Sequence, residues 1–345
     1  MSFAEKFRYL QFGKDYSMRK VIGIGETVLD IIFKNDRPIG AVPGGSTFNS
    51  VISLGRAGID TTFIGEIGDD RVGRNVISFL RDNNVNADYV NVYADCKSPV
   101  SLAFLDDNNN AEYIFYKDTP RGQLDFSYPE VNADDIVMFG SFYSVNPILR
   151  PQVAGFLDYA RSHGAILYYD VNFRASHRAD FIKVTPNILE NFEYADIVRG
   201  STEDFDVMFR KTDPDAVYRS EISFYCRNFV CTQGSGPVAL RTVNGFNKDY
   251  PVASTNTVST IGAGDNFNAG FAYGLIKYGI KRADIEAGLT EKQWDNVIGC
   301  AQMFSADCCR SIDNYINTDF GAKMKAELAA GPNAAGVGET DNVKQ

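Results

Sequence analysis

A chain of 345 residues, 44% hydrophobic and 23% charged, has the composition of a globular protein with a core sufficient for one large or two modest domains. Its net charge of −10 argues against a general binder of nucleic acid or acidic membrane, while leaving room for a locally positive site that takes an anionic substrate. The six cysteines (96, 226, 231, 300, 308 and 309) form no CxxC pair and lie far in sequence from His163 and His177, which argues against a zinc cluster or a disulfide framework.

Residues 1–20 form a polar N-terminal extension without the apolar run of a secretory signal, and no apolar stretch reaches membrane-spanning length, so a cytoplasmic protein is expected. Residues 21–25 read as a buried strand that continues extended through 28–33. Residues 36–43 read as a loop or turn. Gly44-Gly45-Ser46 then opens a helix with Phe48, Val51, Ile52 and Leu54 on its apolar positions. A strand at 61–67 and a helix at 72–81 complete a strand–helix–strand–helix run, the pattern of a parallel sheet covered by helices.

The pattern breaks at 100–105 and 113–116, two short strands around the hairpin tip 106–110. With 31–42 they are expected to form a small second β-layer, a lid or a dimer contact. Alternation resumes with strands at 135–139, 165–171, 196–199 and 229–232 and helices at 151–162, 187–194 and 202–209. A helix at 294–309 follows, and the Gly- and Ala-rich 331–345 is expected to be disordered.

One stretch stands out: Ser259-Thr260-Ile261-Gly262-Ala263-Gly264-Asp265-Asn266-Phe267. Small residues precede an acid and an apolar-periodic helix, so the first-turn N–H groups stay uncovered and could hold an anion. Taken alone, Asp265 could equally be a helix cap after a glycine turn. The Walker pattern is absent, and the dinucleotide fingerprint fails at Val28, Ala239 and Phe267, which disfavours a nicotinamide enzyme. Asp30, Gly44-Gly45 with Asn49, Arg174, Glu203-Asp204, Gly234 and Asp265 all fall at or just past strand carboxyl ends, where open α/β sheets bind ligands.

Those residues carry a resemblance. Pro43-Gly44-Gly45-Ser46-Thr47-Phe48-Asn49, Gly65 to Gly73, and Ile261-Gly262-Ala263-Gly264-Asp265-Asn266 resemble, in order and spacing, the two signatures of the PfkB, or ribokinase-like, carbohydrate kinases. The match runs over 21–330 and implies a ribokinase-like three-layer α/β/α sandwich with a mostly parallel sheet, and one domain in which 31–43 and 98–118 form an inserted β lid. It implies that Asp30, Asn49, Gly44 and Gly45 receive a sugar, that Asp265 is the general base, and that the Gly262, Ala263 and Gly264 amides form an anion hole. Thr232, Gly234, Gly236 and Asn268 would line an ATP site. Asp170-Val171-Asn172-Phe173-Arg174 resembles the DxNxR of the fructokinase and ketodeoxygluconate-kinase branches and makes Arg174 a substrate or phosphate contact. Glu203 and Asp204 would act indirectly on Mg2+, although the family's Asn before that acid is here Ser201.

Ser259 stands where the family usually has Asp near a monovalent-cation site, so a potassium requirement is left open. Gly140-Ser141-Phe142 replaces the Glu of ribokinases, which weighs against ribose. The resemblance implies a homodimer through the lid. The expected activity is ATP-dependent phosphorylation of a fructose-like hexose or sugar acid. The alternatives are a nucleoside kinase on the same scaffold and a non-catalytic sensor. A carboxylate at a helix N-terminus would also be expected to have a lowered pKa.

Overall fold

Strand residues sort by parity. In 166–169, Leu167 and Tyr169 join one core cluster while Ile166 and Tyr168 join another, so this strand is buried on both faces, as a parallel strand between helical layers must be. The computed structural model describes residues 19–106, 111–118, 127–254 and 256–331. Most of the expected hairpin tip, the extension before residue 19 and nearly all of the expected tail lie outside them.

The first half contains β1 (Lys20–Ile24), β2 (Val28–Lys34), β3 (Arg37–Gly44), α1 (Ser46–Arg56), β4 (Asp60–Gly68), α2 (Arg71–Asp82) and β5 (Val85–Tyr93). Then come β6 (Val100–Leu105), β7 (Ala111–Tyr116), β8 (Ile136–Gly140), α3 (Ser141–Val145) and α4 (Arg150–Ser162). The second half adds β9 (Ile166–Asp170), a 3-10 segment (Ala175–Asp180), α5 (Phe181–Tyr194), β10 (Ile197–Ser201), α6 (Thr202–Phe209) and α7 (Pro214–Val217). It ends with β11 (Asn228–Thr232), β12 (Val238–Thr242), β13 (Lys248–Tyr250), α8 (Ala263–Lys277), α9 (Arg282–Ala287), α10 (Glu291–Cys308) and α11 (Thr318–Ala330).

The main sheet has nine strands in the order β13-β12-β11-β10-β9-β8-β1-β4-β5, parallel from β11 to β5 and antiparallel at β12 and β13. Helices α4, α5 and α6 cover one face through Val153, Phe156, Val184, Phe192 and Phe205. The other face packs on α8 and α10 through Phe271, Leu275, Trp294 and Phe304. A third cluster seats α1 and α2 against β4 and β5. No helix among the described residues is long and apolar enough to cross a membrane.

The smaller sheet has the order β3-β2-β6-β7. Residues 36–43, expected as a loop or turn, are mostly strand: β3 pairs antiparallel with β2. β3 contains Pro38 and Pro43, but it is an edge strand, where a missing N–H is tolerated. The helix expected at 187–194 starts earlier: α5 begins at Phe181 and carries Pro186 inside it, forfeiting one main-chain bond near its N-terminal end.

Candidate active site

The chain enters α8 through Gly262, at φ 76°, and a Cβ there would lie 2.7 Å from the Asn314 carbonyl oxygen. Only glycine makes this left-handed entry without strain. Helix geometry leaves the first-turn amides without i−4 partners; that of Ala263 donates to Thr260 O at 3.2 Å, and the turn otherwise opens at Gly264 and Asp265. Three residues into this turn, Asp265 is only 8% exposed.

Two α1 side chains grip its carboxylate. Ser46 Oγ donates to Oδ1 at 2.8 Å and Asn49 Nδ2 to Oδ2 at 2.7 Å, while Ser50 Oγ donates to the Asp265 carbonyl at 2.7 Å. The Gly44-Gly45 turn sets α1 in this position. Gly45 has φ 132°, and a Cβ on it would approach Glu26 O to 2.3 Å. Asn49 Oδ1 is enclosed without a partner, free to accept from a ligand hydroxyl.

Burial pushes the Asp265 carboxyl up to about 6, against the Asn49 hydrogen bond and the attraction of Arg174. The helix N-terminus had suggested the opposite direction. Loss of solvent outweighs the helix field, because the acid is enclosed between α1 and α8. Asp30, on β2, is likewise pushed up to about 6 by burial, against a hydrogen bond from Ser101 Oγ. Its carboxylate lies against Gly44, where any Cβ would come within 2.5 Å of Oδ2.

Behind Asp265 lies a buried network. Arg199 Nη1 donates to Asp170 Oδ1 at 2.8 Å, and its Nη2 donates to Thr232 Oγ1 at 2.8 Å. Asn268 Nδ2 donates to Asp170 Oδ2 at 2.8 Å and Tyr168 OH donates to Asn268 Oδ1 at 2.9 Å, so the Asn268 amide is engaged at both ends. Burial works against the charge on Arg199, but Asp170 outweighs it and holds the guanidinium above the usual arginine range. A Cβ on Gly264 would sit 3.0 Å from Arg199 Nη2, so this cation stands directly over the glycine turn.

The remaining expected residues ring these. Arg174 is exposed just past β9, and its charge acts on both Asp265 and the lid residue Tyr113. Desolvation pushes the Tyr113 hydroxyl up to about 12, with Asp30 and Asp265 adding to the effect. Gly234, at φ 60°, and Gly236 form an open turn after β11. Glu203 is exposed on α6, whereas Asp204 is buried and closes the capping box, accepting from Ser201 N at 2.7 Å. Ser259 is buried and accepts from Ile261 N at 3.2 Å.

The segment after α10 ties the two signature stretches together. Asn314 O accepts from Asn266 Nδ2 at 2.9 Å, Tyr315 OH donates to Pro43 O, and Ile316 N donates to Ser53 Oγ at 3.2 Å. Ser46, Asp170, Arg199, Tyr113 and this brace were not among the site residues read from the sequence. Ser46 and Asp170 lie inside the motifs read from the sequence, without a role of their own there, and Arg199 is a charge on the buried strand β10.

The model of the pfkB family carbohydrate kinases matches residues 18–291. The chain belongs to this family. As a pfkB carbohydrate kinase it is a phosphotransferase acting on a sugar hydroxyl. It is 28% identical over 248 residues to 5-dehydro-2-deoxygluconokinase 1 of Bacillus cereus, covering 68% of this chain and 74% of that protein. Its fold is shared with aminoimidazole riboside kinase from Salmonella enterica, solved with aminoimidazole riboside and an ATP analog (TM-score 0.76, 20% identity, 90% of this chain and 100% of that one). It is shared equally with fructokinase from Vibrio cholerae O395, solved with fructose, ADP and calcium (TM-score 0.75, 18% identity, 90% and 99%). The pfkB chain thus has the ribokinase-like architecture expected, with a large mostly parallel sheet and a smaller separate one.

Proposed function

We propose that this pfkB kinase transfers the γ-phosphate of ATP to a hydroxyl of a fructose-like hexose or a sugar acid, within one kinase domain spanning 21–330. The observation that carries the reading is Asp265: a buried carboxylate with a pKa of about 6, held by Ser46 and Asn49 at an open glycine turn. The acceptor lies against Gly44-Gly45, with Asp30 and the free Asn49 Oδ1 on its hydroxyls. Its attacking oxygen forms the new O–P bond as the bond to the ADP oxygen breaks, and its proton passes to Asp265. In a loose transition state that proton leaves late, so a base of pKa near 6 suffices.

Charge on the transferred phosphoryl is met by the amides at the entry to α8 (Gly262 and Gly264, with Ala263 shared with Thr260 O) and by the charge of Arg199 above Gly264. Thr232, Gly234 and Gly236 mark the nucleotide side, where Arg199 links Thr232 to Asp170, while Asn268, buried and engaged by Asp170 and Tyr168, supports that side from behind. Among the described residues no group of three acids, histidines or cysteines could hold a metal ion. Of the two acids expected to act on Mg2+, Glu203 is exposed and would be the one left to assist it, since Asp204 is committed to its cap. When bound, the metal would neutralise phosphate oxygen charge.

Arg174 at the rim suits a carboxylate or phosphate, and the Bacillus relative is named for a sugar acid. A nucleoside acceptor would need an aromatic ring to stack its base and is less favoured, since Phe142 and Phe104 are already stacked, on His177 at 4.3 Å and on Phe33 at 4.7 Å. The lid leaves Ile39, Ile114, Phe115 and Tyr116 exposed, which supports a homodimer through it. A coupled ADP-release screen with Mg-ATP over hexoses, sugar acids, pentoses and nucleosides tests the reading. Turnover confined to nucleosides, or none at all, refutes it.

A further inference from the structure

A cavity of about 60 Å³ lies between the ends of β1, β4 and β8 and the end of the lid strand β7. Glu26, Thr27, Glu66, Lys117, Tyr143 and Asn146 contribute to its wall. Three polar atoms there are enclosed without a hydrogen-bond partner: Thr27 Oγ1, Glu66 Oε1 and Tyr143 OH. Buried polar groups are rarely left unpaired, and three from separate elements in the wall of one space mark something that fills it. The volume holds about four waters at ~15 Å³ each, or a hydroxylated carbon segment of similar size.

Its place relates it to the acceptor. The Glu26 carbonyl touches Gly45, and Val28, one residue after Thr27, pairs with Gly44, so cavity and sugar cradle share a wall. Along the sheet the cavity lies toward β4, away from β11 and the Thr232–Gly236 turn. It therefore lies on the acceptor side of the sheet, next to the cradle.

Its chemistry is that of a hydroxyl reader. Lys117 Nζ bonds Glu26 Oε2 at 2.7 Å, and Lys97 and Asp118 also offset one another in formal charge, so the wall carries no surplus beyond Glu66. Burial pushes the Glu66 carboxyl up to about 7, against the attraction of Lys117, so near neutrality it can donate or accept. The Thr27 and Tyr143 hydroxyls have the same dual capacity, which matches alcohols better than ions.

We propose that this cavity is a distal subsite of the acceptor pocket that takes uncharged, hydroxyl-bearing carbons of the sugar remote from the phosphorylated one, read by Glu66, Tyr143 and Thr27. The proposal rests on the sugar-kinase reading above. The test compares kcat/KM for the preferred acceptor and for analogues singly deoxygenated at each remote carbon, in the wild type, Glu66→Leu and the milder Tyr143→Phe. A site built to bond a hydroxyl rejects the analogue lacking it, so one remote deoxygenation is expected to cost the wild type about tenfold or more. In either variant that ratio is expected to collapse toward one. Retention of the ratio in both folded variants, or indifference of an active wild type to every remote deoxygenation, overturns the subsite and leaves the kinase reading standing. A wild type that phosphorylates no sugar overturns both.

Discussion

Replacing Asp265 by Asn separates catalysis from folding. The amide keeps the size of the carboxylate. It can still accept from Ser46, and rotation of the Asn49 amide would offer its unpaired Oδ1 to the new NH2 group. The turnover number is expected to fall by about 10²–10⁴, the usual contribution of a general base. Stability is expected to move the other way. An acid raised from 3.8 to about 6 is harder to ionise folded than unfolded, so the native state loses stability as pH rises from about 4 to 6. Two units correspond to on the order of 3 kcal/mol above pH 6, which a neutral amide does not incur. The melting temperature of Asp265→Asn should therefore exceed that of the wild type by a few degrees at pH 7.5, with the gain shrinking at pH 5.5. Scanning calorimetry at the two pH values and a coupled ADP assay read both effects. A folded variant keeping more than a tenth of wild-type turnover would refute the base assignment. A lower melting temperature at pH 7.5 would refute the claim that burial dominates the carboxylate.

Three further outcomes follow from the same geometry. The wild-type kcat/KM should fall about tenfold per pH unit below about 6 as Asp265 protonates, and Arg174→Ala, by removing an attraction that lowers that pKa, should move this limb to higher pH; a limb that stays in place or moves down in the pH profile contradicts the coupling. Gly262→Ala should cost about 2–4 kcal/mol by urea unfolding and abolish turnover, because a Cβ meets Asn314 O at a backbone angle other residues avoid; near-normal stability would show that the turn relaxes freely. Ile114→Glu with Tyr116→Glu, which share one exposed lid face, should halve the mass found by light scattering, and an unchanged mass would exclude that face as the dimer contact.

The sheet and its covering helices were legible wherever apolar periodicity was strong, as in α1, α2, β8 and β9. Val85–Tyr93 went unread because its alternation shifts at the bulge opposite Thr62 and Ile64. β13 is a three-residue edge strand, and β12 beside it is only five residues long. Around Asp265, glycines left a trace because the backbone there needs them whatever the neighbours are. Ser46, Asp170 and Arg199 left less, since their roles arise from partners 219, 98 and 33 residues away. The carboxylate's raised pKa was illegible for a related reason: local sequence shows the helix end, while the enclosure comes from α1, far earlier in the chain.

The brace formed by Asn314, Tyr315 and Ile316 bears on when the enzyme comes into being. Its bonds reach back 48, 272 and 263 residues, to Asn266, Pro43 and Ser53. A nascent chain can lay down the whole nine-stranded sheet before these residues leave the ribosome, because domains consolidate from the N-terminus during synthesis. The acceptor cradle and the phosphoryl turn would then be in place but not yet locked to one another. Competence should thus arrive abruptly, once residues 314–316 have emerged, and chains stalled before residue 313 should resist proteolysis over the sheet while turning over no sugar.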